Sequence, residues 1–153
     1  MVHPGRIFTV EEANRLVGEM EAVIAEIERL RGQLESSDRE LRILDALWGP
    51  KVRETGNPDH GEFERHRIAV DRTVEKIEGL VRDEILAHGV RFPAGGIEYG
   101  LLDFPTTLDG RVVYLCWKRG ESQISHWHEI NGGFAGRQPL TTECAARMGV
   151  DRG

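Results

Sequence analysis

The apolar residues between Ala13 and Trp48 recur every seven positions. One set is Ala13, Met20, Ile27, Leu34, Leu41 and Trp48; the other is Leu16, Val23, Leu30, Ser37 and Leu44. This a/d seam, held over about five heptads with Glu19, Glu26, Arg31 and Glu40 beside it, predicts a long helix of coiled-coil type. Thr9-Val10-Glu11-Glu12 has the form of a capping box at its start, and Phe8 stands where a hydrophobic staple would. Gly32, Ser36, Ser37 and Asp38 all lower helix propensity, so a kink or break is expected between Gly32 and Asp38. Gly49-Pro50 ends the helix, and a Gly- and Pro-rich loop runs to Gly61. A second stripe of Phe63, Val70, Val74, Ile77, Val81 and Ile85 predicts another helix. Asp59 and Glu62 supply its capping pattern, and His88-Gly89 closes it. Residues 1–89 therefore read as an antiparallel helical hairpin. Val17, Ile24 and Leu47 lie off the seam and call for a second cover, either the C-terminal module or another copy of the chain.

After Gly89 the period changes to two. Three strands are predicted, at Ile97–Thr106, Arg111–Lys118 and Gln123–Ile130, with two-residue turns at Asp109-Gly110 and Gly120-Glu121. The fold class is thus α+β: a long coiled-coil-like hairpin followed by a small antiparallel sheet of about three strands over residues 90–140. Residues 141–153 read as a flexible tail. The first turn sets Asp103 opposite Cys116, Phe104 opposite Leu115 and Leu102 opposite Trp117. The second sets Cys116 opposite Ser125, Leu115 opposite His126 and Val113 opposite His128. One face then carries Leu102, Phe104, Leu115, Trp117, Ile124, His126 and His128. The other carries Asp103, Pro105, Tyr114, Cys116, Ser125 and Trp127. On this register Cys116 and the two histidines point to opposite sides, which disfavours a Cys/His site unless a bulge intervenes.

Composition removes several function classes. The 153-residue chain has a formal charge of −6, which argues against general nucleic-acid binding. No apolar run approaches the roughly 18–20 residues needed to span a bilayer. MVHPGRIF has no secretory core, so a cytoplasmic location is expected, with Cys116 and Cys144 reduced.

Candidate chemistry concentrates in the β module. His126 and His128, two apart on a strand, share a face as metal ligands do. With Gly120 they match the first half of a cupin-type pattern, but Gly132 and Gly133 stand where its Glu should follow. His128-Glu129 begins an HExxH-like string that has no second histidine. The loop Asn131–Arg137 is Gly-rich and ends in a cation, so its backbone, with Gly136 and Arg137, is a candidate anion cradle. The plainer expectation is that Arg137 pairs Asp103 or Glu121. No nucleophile elbow surrounds Ser122 or Ser125, and no catalytic residue is assigned.

Several of these residues recur together in a known family. IFTVEEANRL and GLLDFPTTLDGRVVYLCWKRGESQISHWHEINGGFAGRQPL resemble the bacterial domain-of-unknown-function family 2203, from about Arg6 to Leu140. The specific parts are Asp103-Phe104-Pro105, Leu115-Cys116-Trp117, Gly120-Glu121, Trp127-His128 and Gly133–Arg137. The resemblance implies no activity and no catalytic residues. It does imply that His128 belongs to the motif more firmly than His126, while Lys51–His60 is peculiar to this chain.

The first expectation is a non-enzymatic interaction or regulatory protein whose helical hairpin binds a protein partner or a second copy, as a homo-oligomer. The alternative is a small-ligand or metal site around Asp103, Glu121, His128 and Arg137. No cofactor is expected on the first reading; on the second it is a single transition metal ion.

Overall fold

The computed structural model describes residues 6–150, so the reading of the first five residues and of the last three falls outside it. No helix among the described residues is long and apolar enough to cross a membrane. The chain divides into two compact units. One takes residues up to Ile24 together with those from Val81 onward; the other is Ala25–Leu80.

Helix α1 spans Val10–Trp48 without interruption. The break expected at Gly32–Asp38 does not occur. That stretch lies on a wet part of the helix, where Glu35–Arg39 and Asp38–Arg42 pair at i,i+4 and support the turns that Gly32 and the serines weaken. In the second unit, Gly49 at φ +60° stops α1, and a 3₁₀ turn, Gly49–Arg53, leads toward α2, His60–Leu80. Leu44, Val52 and Phe63 form the core there, with Leu41 and Trp48 against it. The half-buried Trp48 indole donates to Asp59 Oδ2 at 2.8 Å. Asp59 was expected as a side-chain cap, yet its carboxylate is used here, and only its carbonyl receives Phe63 N.

The first unit begins with the capping box as the residues require. Thr9 N donates to Glu12 Oε1 at 2.9 Å, and Glu12 N donates to Thr9 Oγ1 at 3.1 Å. Phe8 packs edge-on against Phe104, with ring centres 5.3 Å apart, and Phe8 N donates to the Pro105 carbonyl. Beyond α2, a π-type turn, Val81–Ile85, and a 3₁₀ turn lead to Gly89, which takes the left-handed cap at φ +86°.

Among the described residues the sheet has four antiparallel strands in sequence order: β1 Leu101–Leu108, β2 Arg111–Lys118, β3 His126–Glu129 and β4 Gln138–Pro139. The expected first strand loses its start, because Gly96–Tyr99 forms a single helical turn (α3) between Gly95 and Gly100, both at positive φ. The segment expected as a loose tail contributes α4, Thr142–Arg147. Thr141 caps it, Met148 is buried, and Gly149 N donates to the Thr107 carbonyl.

The two turns separate sharply. Asp109 and Gly110 both have positive φ, as a two-residue hairpin turn of the primed type demands, and β1–β2 pair in the expected register. The β2–β3 connection is not a two-residue turn. It turns about Arg119 and Gly120, Glu121 N donating to the Lys118 carbonyl, and continues irregularly to Ser125. Strand β3 enters one residue out of the expected register: Cys116 faces His126, Leu115 faces Trp127 and Tyr114 faces His128. Side chains alternate across a strand, so this shift exchanges the faces. Trp127 joins Leu115, Leu102 and Phe104 on the apolar side. His126 and His128 join Asp103 and Cys116.

Candidate functional site

The slipped register has a local cause and a distant one. Locally, the buried Trp117 indole donates to the Glu121 carbonyl at 2.9 Å, and Glu121 Oε1 receives Lys118 N at 2.7 Å. At a distance, Glu21 on α1 receives Gly120 N at 3.1 Å and Arg119 Nε at 3.3 Å, while Asn14 Oδ1 receives Ile124 N at 2.7 Å. These bonds lengthen the connection and set which residues of β3 meet β2. Neither Asn14 nor Glu21 carries a sequence signal for this role.

On the exchanged face, Asp103, Cys116 and His128 converge. Each comes from a different strand and all three are buried. A carboxylate oxygen, a sulfur and a ring nitrogen all lie within 4.8 Å of one another. His128 Nδ1 lies 2.7 Å from the Glu129 carbonyl, which can only accept, so Nδ1 carries the proton. His128 Nε2 then lies 3.0 Å from Asp103 Oδ1, a contact that needs one proton between the two atoms. Tyr114 tilts against the imidazole at 5.5 Å. Opposite Asp103, Arg91 forms a two-bond bridge to its backbone and holds that strand position.

The electrostatics are those of a dry pocket. Burial raises the Asp103 carboxyl above its usual range, against the hydrogen bond from His128 and the charges of His128 and Arg137. Burial, helped by the Asp103 charge, pushes the Cys116 thiol up to about 11. A thiol so protonated is not an activated nucleophile. With both ring nitrogens of His128 already engaged, a Cys–His nucleophilic pair is not assembled either.

The other expected residues fall around this trio. Arg137 donates to Glu121 Oε1 at 2.8 Å and to the Cys116 carbonyl at 3.3 Å. It therefore pairs Glu121, the plainer of its two expected uses, and stacks on Phe134. The Gly136 amide is engaged by the Gly132 and Gly133 carbonyls, so it points back into its own turn. His126 stands across from Cys116, half-buried, its Nδ1 2.9 Å from Ser125 Oγ, and is not in the converging trio. The two-histidine grouping thus gives way to one that contains Cys116, a residue the expected register had turned away.

Over residues 6–140 the chain matches a family model described as an uncharacterized conserved protein (DUF2203). No curated protein and no solved structure matches it.

Proposed function

Because the chain belongs to the DUF2203 family, whose description carries no activity, function must be argued from the site, and we propose that the β module is a transition-metal centre. Its ligands are Asp103, Cys116 and His128. The observation that carries this reading is the convergence of three chemically different donors, all buried, within 4.8 Å.

Three physical points support it. Bond lengths of about 2.0–2.3 Å put the ligand atoms of a tetrahedral zinc site roughly 3.3–3.6 Å apart. The Asp103–His128 contact at 3.0 Å therefore opens slightly, and no separation in the trio, all within 4.8 Å, needs a large change. Ligating imidazoles commonly donate their second ring N–H to a carbonyl, as His128 Nδ1 does to Glu129. Charge also balances: a thiolate and a carboxylate neutralise a divalent ion, while Arg137 is neutralised by Glu121. One divalent ion then replaces two protons without leaving net charge in a dry pocket. A soft sulfur with a nitrogen and one oxygen favours zinc or a similar late transition metal over magnesium or calcium.

The test is metal content. Untagged protein incubated with zinc, then freed of unbound ion, is expected to carry one zinc per chain by mass spectrometry. Cys116→Ser, Asp103→Asn and His128→Gln are each expected to lose most of it. A wild-type protein that retains no zinc overturns the proposal.

A second reading concerns the Ala25–Leu80 unit, as a self-association surface of a helical hairpin. Ile43 and Leu47, one helical turn apart, are 53% and 66% exposed, and Ile68 is 40% exposed. A second copy of the chain is the occupant this reading names. Light scattering is expected to give a dimer mass that Ile43→Lys with Leu47→Lys reduces to the monomer; a wild-type monomer at every concentration removes the reading.

A further inference from the structure

Three protein ligands leave a tetrahedral ion one position short. Structural sites fill that position from the protein, whereas catalytic sites leave it to water or substrate. Resting on the metal reading above, we infer that His126 is the fourth ligand, so that the centre is a closed Asp-Cys-His-His site.

The pairing of the strands puts His126 in place. Asp103, Cys116 and His126 form one continuous row across β1, β2 and β3, with Cys116 opposite each of the other two. Asp103 directs its backbone bonds to Arg91, so Asp103–Cys116 is the narrow pair and Cys116–His126 the wider one. Cβ atoms of opposite residues are still only roughly 4.5–5.5 Å apart, within reach of an imidazole. His128 lies two residues along on the same strand, and therefore on the same face as His126. The His126 ring holds Ser125 Oγ through Nδ1, and its Nε2 makes no hydrogen bond among the described residues. That ring is half-exposed, unlike the three buried ligands, and turning it about its side-chain bonds gives up one exposed contact with a serine. At the ends of the row stand Pro139, opposite His126, which offers no side-chain donor, and Arg91, opposite Asp103, whose guanidinium is a cation and no metal ligand.

A closed site of this kind staples three strands through one ion. It also gives the short strand β3 a tie to β2 that four ladder positions alone supply weakly. The metal acts as a strut, and binding is coupled to the stability of the module rather than to turnover.

The experiment is a competition titration of zinc against a chromophoric chelator, on wild type, His126→Ala, His126→Gln and His126→Cys. Even outer-shell partners of a metal ligand are worth about 10- to 100-fold in affinity, so Ala and Gln are each expected to weaken binding by at least about 10-fold. Gln can keep a hydrogen bond to Ser125, so loss in that variant separates ligation from local structure. Cys, which supplies a thiolate at the same position, is expected to recover the affinity. In parallel, azide added to cobalt-loaded protein is expected to shift the spectrum of His126→Ala and leave wild type unchanged. Wild-type affinity in both Ala and Gln variants, or an azide response in wild type, overturns the inference while leaving the three-ligand centre standing. A wild type that takes up neither ion removes both.

Discussion

The two turns of the sheet differ in what decides their geometry. At Asp109-Gly110 the decision is local: both residues adopt positive φ, the turn closes on itself, and β1–β2 register follows. Between Arg119 and Ser125 the decision comes from elsewhere, through Trp117 within the strand and Asn14 and Glu21 about a hundred residues away. The lesson is that a glycine-containing turn fixes register only when no tertiary contact outbids it. Here the tertiary contacts win, and what they change is chemical. A one-residue difference moves two histidines from an apolar face to the face that holds a cysteine and an aspartate.

The contrast can be broken from either side. The largest effect is expected from Trp117→Ala, which removes a fully buried ring and the bond to the Glu121 carbonyl. A loss of about 3–5 kcal/mol in urea unfolding is expected, and a loss under 1 kcal/mol would mean that the indole does not anchor this connection. Next, Asn14→Ala with Glu21→Ala removes three bonds to the connection, at about 1.5–4.5 kcal/mol together when each is worth roughly 0.5–1.5 kcal/mol. The same double variant is expected to weaken zinc binding, because the register of β3 is loosened; unchanged affinity would show that the connection holds its course without α1. Gly110→Ala forces a left-handed conformation on a residue with a Cβ, although open space surrounds it. It is expected to cost about 1–2 kcal/mol while leaving zinc stoichiometry intact, and a loss of zinc there would deny that the two turns act separately. The smallest effect is expected at Arg111→Ala. Arg111 bonds Glu129 across β2 and β3, but the pair is exposed and screened. Its unfolding midpoint should stay close to wild type, and a large fall would mean that this surface pair, rather than the buried loop bonds, sets the register.

What could be read from sequence divides along the same line. The capping box at Thr9–Glu12, the Gly89 cap and the Asp109-Gly110 hairpin each depend on residues within a few positions, and each is present. The chemistry-bearing residues Asp103, Glu121, His128 and Arg137 were legible individually, and two of their contacts form: Asp103–His128 and Glu121–Arg137. Those four also read as neighbours of one site; what was not legible was that Cys116 stands among them. Cys116 joins the site only through the slipped register, and that depends on α1 side chains whose partners no short-range pattern announces. Helix α1 persists through Gly32–Asp38 because a summed propensity penalty is modest beside the cost of interrupting a long helix. Helix α4 lies in the segment read as a flexible tail: Thr141 caps it, and its docking through Met148 and Gly149 depends on the sheet it meets.

The most direct measurement is X-ray absorption at the zinc edge of the zinc-loaded protein. The account predicts one sulfur scatterer at about 2.3 Å with nitrogen and oxygen scatterers at about 2.0–2.1 Å, the sulfur disappearing in Cys116→Ser. A shell of nitrogen and oxygen alone in the wild type would contradict it, because Cys116 and His128 would then not share a centre.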